Sequence, residues 1–228
     1  CFLLTEHHGR ISVRVPGARR ALSRRGRGLL PFHIVDITWS ERGDVHFVTA
    51  ASCVEPNPVA WVDPAALTMA QQGIALVLRF TEEGVALPDI FTLTVDFLSV
   101  CDGHSSATLD FFVIKLLRLL GSFPSAMHSL MSNQRFSSRD SIVWSTEHGG
   151  FVSEHDDAYG IPIDSATHRI LCTIDTMPLR DANTFSPDTS ALLRRIVQGL
   201  VPIQLGMSVP VPAASPRILA SSSAVTPI

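Results

Sequence analysis

Five arginines within nine residues, Arg19, Arg20, Arg24, Arg25 and Arg27, are the side chains whose type and spacing most plainly carry chemistry. A planar guanidinium donates to two oxygens of a phosphate or sulfate at once, so a cluster of this kind suits a polyanion: a nucleic-acid backbone or a sulfated glycan. Lys115 is the one lysine in the chain, so nearly all positive charge is guanidinium. The competing reading is a solvated loop whose arginines pair with surface carboxylates, or a processing site. The charge density favours polyanion contact, and these five residues are the expected binding site.

Other reactive side chains are sparser. Glu6-His7-His8, Glu147-His148 and Glu154-His155-Asp156-Asp157 contain metal-ligand types but no spacing of the HExxH kind. They read as polar loop residues; no metal, cofactor or catalytic residue is expected. Cys1, Cys53, Cys101 and Cys172 form no CxxC pair, which argues against structural zinc and a dense disulfide framework. Two disulfides are arithmetically possible, but buried free thiols are the simpler expectation. Cys1 opens the sequence with no signal segment before it, which reads as a fragment or a product of maturation. A lipidated amino terminus is the alternative, disfavoured because Phe2, Leu3 and Leu4 follow at once.

The elements that must hold these residues are drawn from 228 residues, 46% of them hydrophobic and 17% charged. That composition suits a globular chain with a real core. A net charge of −3 excludes a uniformly basic nucleic-acid binder, so any polyanion contact is local. No apolar run is long enough to span a membrane.

Arg10–Val15 alternates, with Ile11, Val13 and Val15 on one face and Arg10, Ser12 and Arg14 on the other, and Pro16-Gly17 ends it. The Arg-rich segment 18–28 follows as a loop. Phe32–Trp39 and Val45–Ala50 flank a polar Gly43 loop and predict a hairpin. Gly73–Phe80 and Ile90–Val100, rich in branched and aromatic residues, predict a second strand pair around Gly84 and Pro88. Thr108–Leu120 is apolar on nearly every side and reads equally as a buried helix or a central strand. Residues 121–167 read as loop-rich, and His168–Ile174 as a strand. Asp188–Leu200 predicts a helix capped by Asp188 and stopped by Pro202, with Leu192, Leu193, Ile196, Val197 and Leu200 on one face. The tail from Gly206 is Pro/Ser-rich and predicts an extended segment.

Three families share short stretches with this chain. IALVLRF and FTLTVDFLSVCDG, ending at Asp102-Gly103-His104-Ser105, resemble the strands and DG end of the HHxxxDG motif in condensation-domain acyltransferases. Phe97 and Leu98 stand at the two histidine positions, so acyl transfer has no base there. FVTAASC (Phe47–Cys53) and LDFFVIKL (Leu109–Leu116) resemble the TAAHC and DIALLKL segments of chymotrypsin-like serine proteases. Glu147-His148-Gly149-Gly150 stands where GDSGG would fall, and the helix near 190–200 resembles their C-terminal helix. Carried over, Ser52 replaces the general base and His148 the nucleophile, leaving only Asp110 in role. That resemblance implies an inactive homologue, a secreted binding protein with a double barrel and a disulfide at Cys53. GIALVLRF and IFTLTVDFLSV also resemble consecutive strands of picorna-like virus capsid jelly rolls, which implies a virion subunit assembling with copies of itself or sister subunits.

The expectation is a mainly β chain, a jelly roll or barrel-like sandwich with one or two helices. It would form a single domain over residues 1–205, with an extended tail over 206–228. Its expected function is non-enzymatic assembly, most concretely as a capsid protein whose Arg-rich segment meets nucleic acid or sulfated glycan. The inactive protease homologue is the alternative.

Overall fold

In the computed structural model, which describes residues 1–17, 29–43, 45–57, 63–157, 159–205 and 218–221, the chain divides into two compact units. The first holds β1 (Phe2–Thr5), β2 (Gly9–Arg14), β3 (Ile34–Arg42), β4 (Val45–Glu55), α1 (Pro64–Phe80) and α2 (Pro88–Val100). The second holds α3 (Ser106–Leu119), β5 (Ile142–Ser145), β6 (Gly150–Ser153), β7 (Ile161–Ile163), α4 (Ser165–Cys172) and α5 (Pro187–Leu205). A last strand, β8 (Ile218–Ser221), belongs to the first unit.

The first unit is built on a closed five-stranded barrel in the order β1-β2-β4-β3-β8. β1 and β2 pair antiparallel, as do β3 and β4; the remaining contacts are parallel. Alternation in β2 sends Ile11 and Val13 inward and leaves Ser12 and Arg14 exposed. They join Leu3, Val35, Ile37, Trp39 and Val48 in one apolar core. The expected hairpin of residues 32–50 forms as β3 and β4, turning at Gly43, whose φ of +58° suits glycine.

The two strands expected over residues 73–100 are helices, and this overturns the jelly-roll reading. Asp63 caps α1: its Oδ1 accepts the Ala65 N–H at 2.7 Å and the Ala66 N–H at 3.4 Å, with Pro64 in the first turn. From that start Ala66, Met69, Ala70, Gly73, Ile74, Val77 and Leu78 recur at three- and four-residue steps on the buried face. In α2 Pro88 again opens the helix, and Ile90, Phe91, Leu93, Thr94, Phe97 and Leu98 form its buried stripe. The Thr94 hydroxyl donates to the Ile90 carbonyl at 2.6 Å, which satisfies a polar group inside that stripe. Segments of eight to eleven residues, read without their upstream caps, look like strands because branched residues dominate them.

In the second unit α3 takes the helical alternative, burying Phe111, Phe112, Ile114, Leu116 and Leu117. The stretch expected as a strand at 168–174 is mostly α4, started by Asp164, which accepts the Ala166 and Thr167 N–H groups at 2.9 Å. Within the expected loop region, β6-β5-β7 form an antiparallel sheet around Trp144 and Phe151, whose rings meet edge to face at 5.0 Å. α5 carries the expected apolar face, but Ser186, not Asp188, caps it: Ser186 Oγ accepts the Thr189 N–H at 3.1 Å. The helix also continues past Pro202 to Leu205. Of the residues from 206 onward only β8 is described.

Lys115 has a purely internal task. Its Nζ donates to the carbonyls of Ile174 and Met177, both at 2.7 Å, while Arg118 one turn later grips the Asp175 carboxylate through Nε and Nη2. Together α3's two cations fix the turn that follows α4.

Candidate nucleic-acid interface

Arg19, Arg20, Arg24, Arg25 and Arg27 all lie outside the described residues. The strands on either side of that segment are described, and they show what the barrel offers next to it. β2 ends at Arg14, three residues before Gly17, after which the Arg-rich segment begins. Across the sheet Arg14 is the Cα partner of Phe47 in β4, and Phe47 is the partner of Ser40 in β3. From the hairpin turn Arg42 reaches over the Phe47 ring, its guanidinium carbon 5.8 Å from the centroid. The barrel rim therefore places a half-buried aromatic ring between two exposed arginines.

Among the described residues no carboxylate pairs with Arg14 or Arg42. Glu41, the acidic neighbour in β3, lies 3.3 Å from His46 Nε2 instead. His46 and His8 each approach the Trp39 indole edge to face, at 6.2 and 5.3 Å. Guanidinium groups beside an aromatic ring are a combination that holds a phosphate backbone and stacks a base. Sequence reading set Arg14 on the outward face of its strand but missed Arg42 and Phe47. Only the register of β4 against β2 and β3 brings them together, and the signal available was the arginine directly before the Gly43 turn.

The residues carried over from the protease resemblance fall in different units. Ser52 is exposed on β4 in the first unit, whereas Asp110 and His148 belong to the second. Asp110 is almost fully buried and faces Arg194, its Oδ2 3.3 Å from Arg194 Nε. Burial pushes its carboxyl up, against the pull of Arg194. All four cysteines are free, so the disulfide that the protease resemblance implies at Cys53 does not form. Cys1 and Cys53 are exposed and Cys172 half-buried; only Cys101 matches the expected buried thiol. Burial, helped by the Asp102 charge, pushes Cys101 up to about 12, so this thiol is inert at neutral pH.

The Asp102-Gly103-His104-Ser105 stretch is a turn. Asp102 Oδ1 accepts the His104 N–H at 3.0 Å, and Gly103, at φ +75°, lies against the backbone of Ala65 and Ala66 at the start of α1. Among the described residues no three His, Cys, Asp or Glu side chains gather where a metal would sit, and no helix is long and apolar enough to cross a membrane.

Comparison with known proteins supplies the lineage. Residues 1–57 match the family described as recombination protein O N terminal, and residues 62–211 match recombination protein O C terminal. The DNA repair protein RecO of Geobacter sulfurreducens is 27% identical over 171 residues, covering 74% of this chain and 70% of that protein. The DNA repair protein RecO of Actinobacillus pleuropneumoniae serotype 7 is 33% identical over 96 residues, or 38% of this chain and 35% of its own length. That of Desulforudis audaxviator is 29% identical over 123 residues, or 54% and 49%. In these last two the match spans half or less of the relative's length. These matches overturn the capsid and protease-homologue readings. The virion and secreted locations fall with them, as does assembly with capsid sister subunits. By matches that together span most of its length, the chain belongs to the recombination protein O family.

Proposed function

We propose that this chain is a non-enzymatic DNA-binding protein of DNA repair, and that it meets the DNA backbone through Arg14, Arg42 and Phe47 at the barrel rim and through Arg19, Arg20, Arg24, Arg25 and Arg27 of the segment that follows β2 in sequence. The observation that carries this reading is the juxtaposition, at the barrel rim, of an aromatic ring with two arginines that have no carboxylate partner among the described residues, close in sequence to the Arg-rich segment. The family match and the relatives, named as DNA repair proteins, support DNA over a sulfated glycan. Stacking on Phe47 would contribute about 1–3 kcal/mol per base, and each phosphate contact would make affinity fall with salt.

Fluorescence anisotropy with a labelled single-stranded oligonucleotide, across a salt series, tests the assignment. The triple variant Arg14→Ser, Arg42→Ser, Phe47→Ala is expected to bind more weakly and with a shallower salt slope, by about 0.7 per lost phosphate contact. An unchanged affinity and slope in a folded variant would move the interface elsewhere.

A further inference from the structure

Among the described residues the barrel closes through β8 alone. β8 lies between β1 and β3 and runs parallel to both. On one side Leu3, Leu4 and Thr5 face Ile218, Leu219 and Ala220; on the other Ile34, Val35 and Asp36 face Leu219, Ala220 and Ser221. Without it, β1-β2-β4-β3 is an open sheet whose two edge strands carry Leu3 and Val35, both fully buried in the barrel core. An open edge with an apolar inner face is a template for another strand.

β8 is held differently from its neighbours. β1 and β2 form a hairpin, and β3 and β4 pair over nine positions across a short turn. β8 has only three pairs on each side, all parallel, the geometry that is weaker per residue and needs a long connection. We propose that the slot between β1 and β3 is a strand-acceptor site that Ile218–Ser221 occupies as a removable closing strand, and that the same segment enters it when supplied as a separate peptide. Main-chain hydrogen bonds to two strands at once provide the affinity, as in other strand-addition sites.

The test uses the full chain carrying Ala220→Pro, which removes one N–H from a strand paired on both sides. Hydrogen exchange is expected to lose protection at residues 3–5 and 34–36 while residues 142–145 and 150–153 keep theirs. A peptide of residues 214–224 should restore the lost protection, and the same peptide with Ala220→Pro should not. Unchanged protection in the variant, or no restoration by the peptide, overturns the proposal. Should the variant lose protection everywhere, the parent chain serves with excess labelled peptide. Binding that unlabelled peptide competes away and a scrambled peptide does not is then expected. Absence of competable binding overturns the site.

Discussion

Charged side chains in this protein do opposite kinds of work, and their partners decide which. Lys115 donates to two carbonyls in a half-buried site, so its loss strands two acceptors. Lys115→Met is expected to cost about 2–3 kcal/mol in urea unfolding. Arg118→Met, breaking only the exposed pair with Asp175, should cost less than about 1 kcal/mol. Equal costs would show that the two carbonyls find other partners. Asp110 makes the matching case for pH. Burial raises its folded-state pKa above the unfolded value, so the folded state holds the proton more tightly. The stabilising contribution is full below the unfolded value and is lost as pH rises through the raised one. Asp175 runs the other way, because the hydrogen bond from Arg118 lowers its pKa; its contribution is lost as pH falls. Urea titrations of parent and Asp110→Asn from acid to neutral pH should show the parent losing stability relative to the variant as pH rises. A constant difference would mean that Asp110 ionises as readily folded as unfolded.

Packing between elements reverses what helix propensity alone recommends. Gly73 lies mid-helix in α1, where Ala would ordinarily gain about 1 kcal/mol. A Cβ there would clash with Cε1 of Phe97 on α2, a ring with no exposed surface. Gly73→Ala is therefore expected to destabilise by about 1–3 kcal/mol, and to be partly rescued by Phe97→Leu in denaturant melts. A gain in stability on the single change would disprove the close approach of α1 and α2. The same contact explains what the sequence concealed. Strands β2, β3 and β4 were legible because Ile11 and Val13, or the Gly43 turn, announce period two directly. Helices α1 and α2 were not, because GIALVLRF and IFTLTVDFLSV match either period when read from their middles. Asp63-Pro64 and Pro88 mark the true starts, more than two turns upstream of Gly73 and just before Ile90. The rim was half legible: outward Arg14 follows from alternation, but Phe47 and Arg42 meet it through cross-strand register, which sequence spacing does not encode. Packing also departs from the family division at residues 57 and 62. Arg10 donates to the Leu78 carbonyl at 2.8 Å, and Glu83 accepts the Ser12 N–H at 3.0 Å. These contacts join α1 and the loop after it to the barrel, although the C-terminal match contains them.

At the scale of the whole molecule, net charge is a poor guide to partners. A chain of net charge −3 repels a polyanion at long range, yet salt screens that repulsion beyond about 8–10 Å. What remains is local: five arginines within nine residues, joined in sequence to a rim that already carries Arg14 and Arg42. Binding should then depend on where positive charge sits rather than on its total. Replacing Arg19, Arg20, Arg24, Arg25 and Arg27 by Ser makes the chain more negative by five charges. So does replacing five arginines of the second unit, Arg118, Arg135, Arg139, Arg169 and Arg180. The first change is expected to flatten the salt dependence of single-stranded DNA binding by up to about 3–4 units of slope, since each lost contact removes about 0.7. The second should shift affinity modestly at low salt and leave the slope near that of the parent. Circular dichroism and thermal melts on both variants separate lost contacts from lost folding. Equal flattening by the two variants would mean that the protein binds DNA through its overall field, and the rim would lose its claim to be the interface.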